Sequence, residues 1–441
     1  MSTGNPSAKK RLRVALDTTF AGVNPTGVGI YSRELARGLA RLAPDYGLEF
    51  KCYGPSCHLS HSHYHSPSRP RSCAHMGLGR GLRRLAATVQ ELPAYTQGVL
   101  PVALTRFRPH IVHATSHLGP LWGPGQLVVT VHDLIFLHYP GDYNPVWRAI
   151  TLALLPMVLR RARAIVTDSQ TTRIDLMRFY RVPPHKITVI YPGIDHLHAP
   201  SRPESRFGAA PAGQAEQERE QGMQAALRYG IGYAYAPYPY PYTYILALGP
   251  LVRRKNIGVV VRAFGYIAAQ LPDVHLVITG RTPAGMKHEM LAAELGRLPR
   301  AARSRVHLMG YVSRGELAQL LSRAAVLAYP SRFEGFGLPP LEAMAVGVPV
   351  VASDTPAVVE STGGAALIVS ATSPQQWAEA LTAVLTNRDQ AQALVEAGRR
   401  RSARFTWDRC VRDTIALYKR LFPQSAIQPV EAANQTFYMK I

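Results

Sequence analysis

Short, continuously apolar runs alternate with amphipathic stretches along this chain, and the alternation occurs twice. In the first half the runs are Arg11–Thr19, Ile111–Ala114, Leu127–Val131, Ala164–Thr167 and Ile187–Ile190; Val28–Leu42 sets Ile30, Leu35, Leu39 and Leu42 at helical spacing. After residue 243 the rhythm restarts with Tyr244–Leu248, His275–Thr279, Arg305–Met309, Ala325–Ala328, Val348–Ala352 and Ala366–Val369. Helical patterns at Gly258–Gln270, Arg314–Ser322 and Leu341–Val346 lie between them. Strands of this kind, separated by helices, form parallel sheets covered on both faces. The expected class is α/β, with two doubly wound domains at 11–199 and 244–405. A length of 441 residues agrees, because single cores of more than about 250–300 residues are uncommon.

The segment Pro200–Thr243 separates the halves. It begins polar (EQEREQ) and ends AYAPYPYPYTY, where alternate prolines forbid regular helix and favour an extended path. It reads as an expanded Tyr/Pro-rich linker at 200–243, with a docking surface for a sugar or partner as the alternative. A second irregular patch, Cys52–His75, gathers His58, His61, His63, His65 and His75 near Cys57 and Cys73. Its spacing matches no standard zinc pattern, so a polar surface loop is the preferred reading. Residues 406–425 carry a final helical pattern at Trp407–Leu421.

The net charge is +22, from 50 Lys and Arg against 28 Asp and Glu. Such a field attracts nucleic acid, acidic lipid or phosphorylated small molecules. The basic residues are spread out and form no nucleic-acid reading motif, so nucleic acid is not expected as a partner. Four cysteines suit a reducing cytoplasm. The longest membrane candidate, Ala149–Leu159, has 11 residues and a proline, well short of the ~20 a spanning helix needs. The expectation is a cytoplasmic protein, with peripheral contact to acidic membrane at its inner face through Arg80–Leu85 and Trp147–Arg163, where basic and apolar residues mix.

The stretch SRFEGFGLPPLEAMAVGVPVVASD, Ser331–Asp354, is where chemistry is expected. It follows a strand and precedes a helix that Pro339 and Pro340 can start. Ligands of open parallel sheets bind beyond the carboxyl ends of the strands. Gly335 and Gly337 permit close approach of the backbone, and the helix start favours an anion. Glu334 and Glu342 can accept hydrogen bonds from sugar or ribose hydroxyls; a surface acid and a first-turn helix acid are the plainer alternatives. The basic cluster in LGPLVRRKN, Arg253, Arg254 and Lys255, also follows a strand and suits a diphosphate. In NPTGVGIYSREL, Gly27 and Gly29 give half a dinucleotide fingerprint, with Ser32 where the third glycine would stand. In VVTVHDLIF, His132 and Asp133 end a strand, and His113 and His117 end the preceding one; a histidine there either orients a substrate hydroxyl or is structural. There is no D-x-D and no P-loop, so neither a metal nor an ATPase is expected.

Taken together, PTGVGIYSREL, VHDL, VTDSQTTRIDL, VIYPGID, LGPLVRRKN, GYVSRGELAQLL, PSRFEGFGLPPLEAMAVGVPVVAS and VVESTGGAALIV run from about residue 11 to 420. They resemble the family 4, "group 1" retaining nucleotide-sugar glycosyltransferases, with Glu334 and Glu342 as the family's E-x7-E pair. The resemblance implies a GT-B fold, two Rossmann-like domains facing across a cleft, and a last helix crossing back to the first domain. It implies Glu334 beside the donor sugar, His132 against the transferred sugar and Glu342 on the ribose. Arg254, Lys255 and the backbone at Gly27 would hold the diphosphate; Phe336, Gly337 and Leu338 would offer backbone N–H groups.

The expected reaction is metal-independent hexosyl transfer with retention and no cofactor. GDP-mannose is the favoured donor, UDP-sugars and glucose the alternative, and the acceptor is a glycan or lipid-linked. Glu334→Ala is expected to abolish transfer with the fold intact. A sugar-nucleotide epimerase or phosphorylase of the same fold is the enzymatic alternative; a basic nucleic-acid or membrane-surface binding protein is the non-enzymatic one.

Overall fold

The computed structural model describes residues 11–21, 27–54, 95–197, 243–280 and 289–423. The Tyr/Pro-rich segment up to residue 242, the His/Cys-rich loop from residue 55 onward, Arg80–Leu85 and the last residues of the chain lie outside these. Contacts group the chain into two compact units: Met1–Thr130, Leu154–Val166 and Asp408–Ile441 form one, and Val131–Ala153 with Thr167–Trp407 the other.

The described residues form two six-stranded sheets. The first joins β1 (Leu12–Asp17), β2 (Leu48–Tyr53), β3 (Ile111–Ala114), β4 (Gln126–Val131), β5 (Ala164–Thr167) and β6 (Ile187–Val189) in the order β2-β1-β3-β4-β5-β6. The second joins β7 (Thr243–Leu248), β8 (Val274–Thr279), β9 (Val306–Gly310), β10 (Val326–Tyr329), β11 (Val350–Ser353) and β12 (Leu367–Val369) in the order β12-β11-β10-β7-β8-β9, all parallel. This is the doubly wound arrangement, and the strand order reverses between β7 and β10.

The side-chain period of two explains why the second sheet's strands are apolar throughout. Ile245 and Ala247 of β7 and Val326 and Ala328 of β10 enter one core with Phe264 and Ile267 of helix α4 (Ile257–Gln270) and with Trp377. Tyr244, Leu246, Leu327 and Tyr329 point the other way, into a core with Leu341 and Met344 of helix α5 (Leu338–Ala345). Helices on both faces leave no solvent side to either strand.

In the first unit, helix α1 (Gly27–Leu42) begins at Gly27. Ser32, at the position of the absent third glycine, donates to the Val28 carbonyl and lies 2.6 Å from Thr115 Oγ1 beyond β3. A hydroxyl there fastens helix to strand, which a glycine would not. The helix α6 (Trp407–Leu421) packs Val411 where a side chain on Gly38 would stand. Its Tyr418 hydroxyl lies 2.6 Å from His113 Nδ1, and His113 Nε2 is 2.8 Å from Thr130 Oγ1. His113 is thus a buried structural histidine.

Two elements carry no clear signal in the sequence. The strand β2 is half exposed and reads LEFKCY, with no apolar run to mark it. The helix α2 (Pro145–Arg161) continues through Pro156. Helix α5 starts three residues earlier than the expected Leu341, because Gly337 caps it at φ +100°, a conformation that favours glycine.

Asp17, at the carboxyl end of β1, is buried and accepts hydrogen bonds from the backbone and hydroxyl of Thr19. Burial pushes its pKa up to about 6. A carboxyl raised on folding adds stability below its unfolded pKa that is lost as pH rises through the folded value. Wild-type stability should therefore fall on the order of 3 kcal/mol more steeply between pH 4 and 7 than that of Asp17→Asn, as read by urea unfolding across that range. Parallel curves would remove Asp17 as the cause.

Candidate active site

The second sheet's order reverses between β7 and β10, so the loops after these strands diverge and leave a crevice at their carboxyl ends. Both contribute to one buried cluster. The β7 loop turns through a short 3-10 helix, Arg253–Lys255. Gly249 (φ +134°) makes this turn possible: a Cβ there would lie 2.9 Å from Lys255 Cδ, so the lysine stem runs where a side chain would be. The β10 loop brings Ser331, Phe333 and Glu334.

Glu334 Oε1 accepts from Arg254 Nη1 at 2.9 Å, from Lys255 Nζ at 2.7 Å and from the Ser331 hydroxyl. Lys255 Nζ also reaches the Tyr329 hydroxyl at 2.9 Å. Arg254 donates to the Phe333 carbonyl at 2.9 Å, and its backbone N–H to Asp142 Oδ2 at 3.0 Å. Arg254, Lys255 and Glu334 are each less than a tenth exposed. Burial alone would raise the Glu334 pKa; Lys255 and then Arg254 outweigh it and hold the carboxyl below the usual range. Burial pulls the Lys255 ammonium down, with Glu334 opposing. The Nε–H of Arg254 is buried and has no hydrogen-bond partner among the described residues.

Gly335 follows directly. A Cβ on it would stand 2.2 Å from the His132 carbonyl oxygen and 2.9 Å from Asp133 Cβ. Its own carbonyl accepts from the hydroxyls of Ser169 and Thr172. His132, at the end of β4, holds Asp168 Oδ2 at 2.6 Å through Nδ1. Asp133 accepts from the Ile135 N–H at 3.0 Å, and burial raises its pKa. Phe333 stacks on His138, ring centres 4.1 Å apart.

The remaining expected residues lie on either side of this cluster. Phe336 is buried against Tyr191 and Phe405. Gly337 and Leu338 open helix α5, and Glu342 sits inside it, buried, with its carboxylate 3.4 Å from His196 Nε2. His196 Nδ1 in turn lies 3.0 Å from Trp407 Nε1, whose N–H donates to it. Gly27 and Gly29 belong to the other unit, at the start of α1.

The sequence singled out Glu334, Arg254, Lys255, His132 and Glu342 but not their partners Ser331, Tyr329, Asp142, Asp168 and His196. Ser331 and Asp168 lie within motifs already singled out, SRFEGFG and VTDSQTT; Asp142 and His196 carry no local signal. Among the described residues, no group of three metal-ligating side chains converges.

The sequence model of the family described as "Glycosyl transferases group 1" matches residues 239–401, and that of "Glycosyltransferase Family 4" matches residues 25–196. The chain belongs to the group 1 glycosyltransferases. It is 29% identical over 356 residues to a D-inositol 3-phosphate glycosyltransferase of Jonesia denitrificans, covering 75% of this chain and 76% of that one. It is 25% identical over 398 residues to O-antigen chain mannosyltransferase B of Escherichia coli, covering 90% and 96%. Among solved structures, a sucrose-phosphate synthase of Thermosynechococcus elongatus superposes with a TM-score of 0.63 at 21% identity, over 93% of this chain and 99% of that one. The shared fold is GT-B. As a group 1 glycosyltransferase, the chain places its E-x7-E pair on the loop and helix that follow β10.

Proposed function

We propose that this glycosyltransferase moves a hexosyl group from a nucleoside-diphosphate sugar to a hydroxyl of a glycan or lipid-linked acceptor, with retention and without a metal ion. The observation that carries the reading is the buried Arg254–Glu334–Lys255 cluster, in which two cations share one carboxylate oxygen and an Arg254 N–H has no acceptor among the described residues. A diphosphate supplies the missing negative charge and acceptors. Arg254, Lys255 and the start of helix α5 would stabilise the charge that builds on the leaving phosphate, and such electrostatic stabilisation is usually what lowers the barrier most. The backbone N–H groups of Phe336, Gly337 and Leu338, and those of Gly27 and Gly29 by resemblance alone, are assigned to sugar and phosphate. Glu342 is assigned to the ribose and His132 to the sugar.

In the reaction, the bond between the anomeric carbon and the diphosphate breaks as the acceptor oxygen bonds to that carbon on the same face. The acceptor's proton passes to the departing phosphate oxygen. Glu334 positions the sugar and offsets positive charge on its ring. Mannose from GDP-mannose is favoured: the relatives include O-antigen chain mannosyltransferases of Salmonella typhimurium and Escherichia coli. UDP-sugars are the alternative.

None of the described helices is long and apolar enough to cross a membrane. Helix α2 exposes Val146 at its start and Met157 and Arg160 toward its end, which supports peripheral contact with acidic lipid at the cytoplasmic face. Thermal shift and nucleotide release across GDP- and UDP-sugars, with and without EDTA, test the donor and the metal. NMR of the product's anomeric configuration tests retention; an inverted product, or activity abolished by EDTA and restored by Mg²⁺ or Mn²⁺, would contradict the reading.

A further inference from the structure

We propose that Asp168 is a positioning residue that fixes the imidazole of His132 for contact with a hydroxyl of the donor sugar. The proposal rests on the assignment of His132 to that sugar, given above.

Asp168 and His132 leave the carboxyl ends of β5 and β4, and both are less than a tenth exposed. Their contact, Oδ2 to Nδ1, is 2.6 Å. An ionised carboxylate only accepts, so Nδ1 must carry the proton. In the neutral ring the lone pair then lies on Nε2, and the side chain becomes an acceptor for a hydroxyl. Without the carboxylate the ring is free to take the other tautomer, with Nε2 as a donor.

The anchoring extends beyond the ring. Asp168 and Ser169 lead into helix α3 (Gln170–Tyr180), with Ser169 as its cap. Thr172, in the first turn, donates to the His132 carbonyl at 3.0 Å. Ser169 and Thr172 also hold the Gly335 carbonyl, next to Glu334. One short segment therefore sets the His132 ring, the His132 backbone and the Glu334–Gly335 turn together.

The second oxygen of Asp168 argues against a purely structural role. Oδ1 is buried and has no hydrogen-bond partner among the described residues. A buried carboxylate oxygen left unpaired is destabilising, and asparagine would fill the same space without the charge. The carboxylate is explained if its charge acts on the ring.

The test uses the nucleotide sugar turned over in the donor screen, together with its monodeoxy analogues. Wild type, Asp168→Asn and His132→Ala are compared. Asp168→Asn should lower kcat/KM about 10- to 100-fold, the loss of one charge-assisted hydrogen bond, while binding of the free nucleoside diphosphate stays unchanged. One deoxy analogue should carry a penalty in wild type that vanishes in His132→Ala and shrinks in Asp168→Asn. If the penalty survives in His132→Ala, the assignment of His132 fails. If it vanishes there but stays whole in Asp168→Asn, only the role of Asp168 fails. A drop in nucleotide binding that matches the drop in kcat/KM for every analogue would mean a structural role instead.

The tautomer can also be read directly in the wild-type protein. The ¹⁵N shifts of His132, assigned by difference with His132→Asn, should show protonated Nδ1 and unprotonated Nε2 at pH 8. The opposite tautomer overturns the proposal.

Discussion

Glu334→Gln should reduce kcat/KM about 10²- to 10³-fold, and Glu334→Ala at least as much. The two variants separate two roles of one carboxylate. Glutamine keeps an oxygen for Lys255 and Ser331 but removes the charge, so its loss reports on that charge, toward the sugar ring and toward the two cations alike. Alanine also strips the acceptor oxygen from two buried cations and from the Ser331 hydroxyl. Removing one partner of such a cluster costs about 3–5 kcal/mol, and it is the unpaired charge that causes the loss. The fold is therefore not expected to be indifferent to Glu334→Ala, contrary to the simple expectation from sequence.

The compensation is specific. A nucleoside diphosphate replaces the missing negative charge, so it should raise the melting temperature of Glu334→Ala more than that of wild type. Equal shifts would mean that the diphosphate does not approach Arg254 and Lys255. Because those cations hold the Glu334 pKa down, its share of stability is fully present above the unfolded carboxylate pKa and is lost only as pH falls through the lowered native value. An acid limb of activity near pH 6 therefore belongs to another group.

Gly335→Ala should be nearly as damaging, for steric reasons. The new methyl would meet a backbone oxygen, His132 O, at 2.2 Å, and no rotamer change can relieve a clash with backbone. Either the His132 loop or the Glu334 loop must move. Overpacking of this kind costs about 1–3 kcal/mol in stability. Activity should fall further than stability, because a shift of about 1 Å in a positioned group can cost ~10²-fold. Chemical unfolding and steady-state kinetics on the same sample give both numbers; unchanged kinetics would show that His132 and Glu334 need not be held together.

Much of this site was legible because its chemistry is local. The carboxylates, the Gly-Phe-Gly turn and the prolines of Ser331–Glu342 lie within one strand–turn–helix, and the positions of loops at strand ends follow from parallel sheets in general. The pairing of Glu334 with Arg254 and Lys255 was not legible: the residues are 80 and 79 positions apart. Only the adjacency of β7 and β10, a matter of strand order, brings them together. The sequence assigned the carboxylate to the sugar and the cations to the phosphate as separate tasks; in the folded chain they neutralise one another. Asp168 was hidden for a similar reason, since β5 follows β4 by way of a 17-residue helix. The edge strand β2 escapes notice because a half-exposed strand needs no apolar run.

The central claim is that Arg254 and Lys255 receive the diphosphate of the donor. Titration calorimetry with the nucleoside diphosphate and monophosphate of the preferred base, on wild type and Lys255→Met, tests it most directly. Wild type should bind the diphosphate about 10- to 100-fold more tightly than the monophosphate, and Lys255→Met should remove most of this preference. A preference that survives intact in Lys255→Met would contradict the claim.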